Sequence, residues 1–192
     1  MNADGTVKGS TMIDPSAEWN PASADGDDFG EDITVLGDID GNGVTDLGVM
    51  SEILDSDGST TTVINILQLN VDGTVKQATR LVSAAGGDPS ISNVDILTGL
   101  TAIGDIDGDG INDLAVSGQE FPERDPENLL ANLFDSTNVI NLLSLNSNGS
   151  VKRSIRIPGP DTVGNNLFTN FTVLTKLDDA NGDLNLAVGI PF

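Results

Sequence analysis

The chain has no cysteine, no histidine and no tyrosine. Those absences remove Ser-His-Asp and Cys-His nucleophiles, zinc sites built on imidazole or thiolate, and the commonest general base. No disulfide can staple the fold, so any tether on its loops has to come from elsewhere. Basic residues are scarce too: 8 Lys and Arg stand against 30 Asp and Glu, a formal charge of −22 over 192 residues. A polyanionic partner, whether nucleic acid or an acidic membrane surface, needs a basic patch that this composition does not favour. No apolar run approaches the roughly 20 residues of a membrane-spanning helix, and the residues after Met1 lack a signal-peptide pattern.

What the chain does have is Asp, Asn and Gly in a fixed order. Asp38-Ile-Asp40-Gly-Asn42-Gly43-Val44-Thr-Asp46 is followed 67 residues later by Asp105-Ile-Asp107-Gly-Asp109-Gly110-Ile111-Asn-Asp113. Oxygen-bearing side chains occupy positions one, three, five and nine of each loop, with glycine at six. A chain wraps a hard cation in this way: alternate residues point inward, glycine permits the sharp turn, and the carbonyl of position seven completes the shell. An EF-hand would need Glu at position twelve, where this chain has Val49 and Val116. The closing ligand therefore falls to Asp46 or Asp113, and each loop runs straight into a strand. The expected calcium ligands are Asp38, Asp40, Asn42, the Val44 carbonyl and Asp46 in one loop. In the other they are Asp105, Asp107, Asp109, the Ile111 carbonyl and Asp113.

The surroundings of the loops repeat as well. Val63–Asn70 matches Val139–Asn146, and each leads into a turn and a polar strand, Asp72-Gly-Thr-Val-Lys76 or Asn148-Gly-Ser-Val-Lys152. The same unit stands at Asp4-Gly-Thr-Val-Lys8. A third, worn loop runs through Asp179, Asn181, Asp183 and Asn185, with Leu177 where the first ligand would be. Each unit reads as four short strands. The first ends at the loop (32–36, 100–103, 171–174) and the second leaves it (47–51, 114–117, 186–190). The third is apolar (61–69, 137–145), and an Asp-Gly or Asn-Gly hairpin links it to an alternating, half-exposed fourth. Four-stranded units at this period indicate an all-β fold, a β-propeller of antiparallel blades. The blades fall at 29–82 and 96–157, with an insertion at 118–135. Residues 1–13 read as the outer strand of a preceding blade, and 168–192 as the first half of a further one.

Phe29-Gly30-x-x-Ile33-x-x-Leu36-Gly37-Asp38-Ile-Asp40-Gly-Asn42-Gly43-x-x-Asp46-Leu47 resembles the FG-GAP repeat of integrin α-chain propellers and their bacterial relatives. Gly189-Ile-Pro191 resembles the second half of that motif. The second unit departs from it, with Ile96-Leu97 in place of Phe-Gly and Ser117-Gly118 in place of Gly-Ala-Pro. The resemblance implies calcium held on the lower face, between the first and second strands of a blade; the blades counted here make an incomplete ring, expected as a fragment of a longer propeller.

Several functional expectations follow. The first is a calcium-stabilised, non-catalytic propeller segment of an extracellular or cell-surface protein, acting in adhesion or ligand binding. A protein or carbohydrate ligand would bind on the face opposite the metals, where the long connection at 118–135 lies. The alternative is a structural subunit whose open strand edges, at Leu186–Ile190 and Thr6–Ile13, pair with other blades or with copies of itself in a filament or sheath. An accessory module of a secreted enzyme is a third reading. Trp19 is expected as a plug between blades, and Asp25, Asp27 and Asp28 as a solvated charge run.

Overall fold

The computed structural model describes residues 3–7, 9–14, 28–54, 58–83, 91, 96–120, 137–158, 172–178 and 184–189. Ten strands form three antiparallel sheets. The first contains β1 (Asp28–Gly37), β2 (Asp46–Leu54), β3 (Thr60–Leu69) and β4 (Val75–Val82), hydrogen-bonded in chain order. The second repeats that order with β5 (Ile96–Gly104), β6 (Asp113–Glu120), β7 (Thr137–Leu145) and β8 (Val151–Pro158). The third is a pair, β9 (Thr172–Asp178) and β10 (Leu184–Gly189). Among the described residues there is no helix.

The two large sheets agree down to their irregularities. The β1–β2 register shifts between Val35 and Gly37, and the β5–β6 register between Ala102 and Gly104. The outer hairpins shift between Gln68 and Leu69 and between Ser144 and Leu145. Bulges of this kind twist a strand and re-aim its side chains. Here the inner bulges leave Leu36 and Ile103 outside the ladder, and both point into the apolar interior.

The sheets stack face to face, because each strand presents alternate residues to opposite sides. From the first sheet Leu36, Met50, Ile64, Ile66 and Leu81 meet Leu100, Leu114, Val116, Leu143 and Leu145 of the second in one buried cluster. Each such side chain contributes about 1.5–3 kcal/mol on removal from water, so this seam is the main apolar bond in the described chain. Gly48 is small because it has to be: a Cβ there would lie 3.1 Å from Thr34 and 3.2 Å from Leu100. The far faces carry smaller clusters, Val49, Leu67 and Leu69 on one side and Ile103, Ala115, Ile140 and Leu142 on the other. Polar groups finish the seam. Asp32 Oδ2 accepts from the Leu100 amide at 2.8 Å, and Thr34 Oγ1 from the Ala102 amide at 2.9 Å. These bonds satisfy donors along the edge of β5 that have no strand partner there.

Most strands run longer than the sequence signals suggest, and one boundary changes the reading. The insertion expected at 118–135 begins later, because Gly118, Gln119 and Glu120 still pair with Val139, Asn138 and Thr137. Gln119 is buried there and its amide donates to Asn138 Oδ1 at 3.3 Å. The expected outer strand at 1–13 shows no ladder among its described residues. Thr11 Oγ1 donates instead to the Asp72 carbonyl at 2.7 Å, and Ile13 packs against the Val49 cluster. Trp19, Asp25, Asp27 and the rest of the expected insertion, 121–135, lie outside the described residues.

Candidate metal centre

Both acidic loops join the first strand of a sheet to the second, at the end where the third strand also finishes. Their shape comes from the sequence order of Asp and Gly. Asp38 Oδ1 accepts from the Asn42 amide and Oδ2 from the Gly43 amide, each at 2.8 Å. Asp105 does the same with Gly108 and Gly110, both at 2.7 Å. Asn42 and Asp109 each close an Asx turn onto the amide two residues ahead, at 2.7 and 2.9 Å. Such local side-chain bonds are why these residues favour tight turns. The glycine at position six sits at φ 82° in the first loop and 89° in the second, where any other residue would be strained.

The last aspartate of each loop does something the pattern did not reveal. Asp46 is fully buried, and its two oxygens accept from the Ile39 amide at 3.0 Å and the Leu69 amide at 2.9 Å. Asp113 is equally buried and binds the Ile106 and Leu145 amides at 2.8 and 2.9 Å. One carboxylate thus ties the loop's beginning to the end of the third strand. Burial pushes both carboxyls above the ordinary aspartate range, against the pull of these amides. Nearby loop carboxylates push the same way. A cation at the loop would offset that cost.

Carboxylate oxygens of Asp38, Asp40 and Asp46 lie within 4.8 Å of one another, as do those of Asp105, Asp107 and Asp109. Oxygens that share a calcium at about 2.3–2.6 Å are separated by at most about 5 Å, so both groups fit around such an ion. The donors are hard oxygens, the type that calcium and magnesium take. Asp113 is held on its two amides and is not one of the three that converge in the second loop. Asn42 turns its oxygen to the Val44 amide, and its nitrogen donates to the Leu69 carbonyl at 3.0 Å. Of the third loop, Asp179, Asn181 and Asp183 lie outside the described residues, and so does the side chain of Asn185.

Two lysines complete the picture. Lys76 Nζ stands 2.7 Å from Asp40. Lys152 Nζ stands 2.8 Å from Asp107 and 3.0 Å from Asp109. The ammonium lowers the pKa of Asp40 and of Asp109, while Lys152 is itself pushed well above the ordinary lysine range by its two partners. Each loop therefore has a tethered monovalent counter-ion on the first turn of its own fourth strand. A sequence signal for this was present: a lysine recurs four residues after the Asp or Asn of each hairpin.

The sequence matches no protein-family model and no curated protein.

Proposed function

We propose that the chain is a calcium-binding segment of an extracellular β-propeller of the FG-GAP type, non-catalytic, and concerned with adhesion or ligand binding. The observation that carries this reading is the same acidic loop at the same place in two stacked sheets of identical strand order, each with three carboxylates close enough to share one ion. Repetition of the whole arrangement argues against a chance solvated turn. Face-to-face stacking of four-stranded antiparallel units is how propeller blades pack. Millimolar calcium outside cells would keep such loops filled, and the metals would take the tethering role that disulfides play in other secreted domains. The two connections opposite the loops, β2–β3 and β6–β7, are the natural place for a ligand, and the second is the longer. Lack of histidine, cysteine and tyrosine, with the clustered carboxylates committed to the loops, supports a binding rather than a catalytic role.

Thermal melting with and without chelator tests this reading. Calcium at 100 times its dissociation constant adds about 2.7 kcal/mol per site to the folded state, so EDTA should lower the melting temperature and magnesium should restore it less well. A melting curve indifferent to EDTA and to added calcium would overturn the proposal.

A second reading, a subunit that associates with its own kind, draws support from apolar residues left in water on the outer faces. Ile33 and Val35 on β1 and Ile155 and Ile157 on β8 are exposed.

A further inference from the structure

The second acidic loop reaches back to the strand that feeds the first. Asn112, at position eight of the second loop, donates from its side-chain nitrogen to the Leu36 carbonyl of β1 at 2.8 Å, across 76 positions of sequence. The approach is close. A Cβ on Gly37 would stand 3.0 Å from that nitrogen, and the φ of 74° at Gly37 is one that a side chain would strain. Leu36 and Gly37 lead directly into Asp38, the first expected ligand of the first loop. Asn112 itself stands between two fixed points. On one side is Ile111, whose carbonyl is an expected ligand of the second loop. On the other is Asp113, tied to the Ile106 and Leu145 amides.

The bond completes a row across the seam. Positions 32, 34 and 36 of β1 each bond the next unit. Asp32 Oδ2 accepts from the Leu100 amide, Thr34 Oγ1 from the Ala102 amide, and the Leu36 carbonyl from Asn112. The first two bonds go to a strand, and the third goes to a metal loop. Apolar contacts run beside it. Ile39, at position two of the first loop, belongs to the buried cluster between the sheets, and Ile111, at position seven of the second, packs against the same cluster. The residues with those places in the opposite loops, Ile106 and Val44, pack in the clusters on the far faces. At the seam, then, the two loops share one hydrogen bond and one apolar cluster.

We infer that Asn112 couples the two metal loops, so that calcium in either loop strengthens binding at the other; this rests on the calcium-binding reading given above. The physical cause is ordering. An ion in the first loop fixes Asp38 and, with it, the Leu36–Gly37 backbone that Asn112 bonds. An ion in the second loop fixes the turn that carries Asn112. Whichever loop fills first bears the entropy of ordering the shared bond, and the second ion meets a loop already held. Coupling of this kind is reciprocal: the factor by which the first site tightens the second equals the reverse. A single hydrogen bond supports a factor of about three- to ten-fold. Asn112 acts as a positioning residue, since the nitrogen that makes the bond is a donor and cannot ligate a cation.

Calorimetric titration of calcium measures the coupling. Asp40→Ala leaves the second loop alone, Asp107→Ala leaves the first alone, and wild type carries both. The product of the two wild-type association constants should exceed the product of the isolated ones by about three- to ten-fold. In an Asn112→Ala background, whose fold circular dichroism checks, the excess should vanish while the first loop alone binds as before. Thr34→Val is the control. It removes a bond of the same row without touching either loop, so it should lower the melting temperature and leave the coupling in place. Two wild-type sites that fill independently would overturn the inference and leave calcium binding standing. Coupling that survives Asn112→Ala would overturn it too, as would coupling lost equally in Thr34→Val, which would assign it to the seam as a whole. Absence of any calcium binding would remove the inference together with the reading on which it rests.

Discussion

Replacing Asp46 by Asn probes the buried carboxylate that ties the first loop to β3. The wild-type side chain accepts two backbone amides, from Ile39 at 3.0 Å and Leu69 at 2.9 Å, at a position with no solvent exposure. Asparagine has nearly the same shape but a single acceptor oxygen, so its NH2 group must face one of those amides. A buried donor left without a partner costs about 1–3 kcal/mol. Part of that is returned, because the substitution also removes a charge whose burial raises the Asp46 pKa, so the net loss should fall in the lower half of the range. At about 2–4 °C per kcal/mol for a chain of this size, the melting temperature should drop by roughly 2–8 °C. The assay is thermal unfolding by circular dichroism in EDTA, where metal binding cannot contribute. Asp38→Asn serves as the control, since Asp38 is exposed and its loss should stay within about 0.5 kcal/mol. Equal melting of Asp46→Asn and wild type would refute the claim that this residue is a structural tie. It would leave only the role of metal ligand.

Two further predictions concern neighbouring groups. Lys152→Met removes the tethered counter-ion from Asp107 and Asp109 and should tighten calcium binding at the second loop by about two- to three-fold, a modest effect because the pair is exposed and screened by solvent; a titration showing unchanged or weaker affinity would contradict it. Gly149→Ala combines a φ of 79° with a collision at 2.7 Å against Ile66 and should cost about 2–4 kcal/mol, while Gly5→Ala, at a similar φ in open space, should cost about 1 kcal/mol; equal melting of the two variants would mean that the turn does not bear on the seam.

Strand order and loop positions were legible because they depend on local chemistry. Asp-Gly and Asn-Gly turns, alternating polarity on β4, and Asx-rich loops act over a few residues, and the structure places them where the pattern does. The bonds that hold the site together act over longer spans. Asp46 to Leu69, Lys76 to Asp40 and Asp32 to Leu100 join residues 23 to 68 positions apart. They exist only once strands pair and sheets stack, so the ligand pattern marked Asp46 and Asp113 as oxygens near a metal without revealing their amide partners. The late start of the insertion has a similar cause: Gly118 and Gln119 carry no strong strand preference, and pairing with β7 decides their conformation.

Isothermal calorimetry of calcium binding, on wild type and on Asp40→Ala and Asp107→Ala, tests the central claim most directly. Both residues belong to the converging carboxylate groups, one in each loop. The account predicts that each substitution abolishes one site or weakens it severely and leaves the other intact, with the double variant losing both. No calcium binding at millimolar concentration, or binding that neither substitution alters, would contradict it.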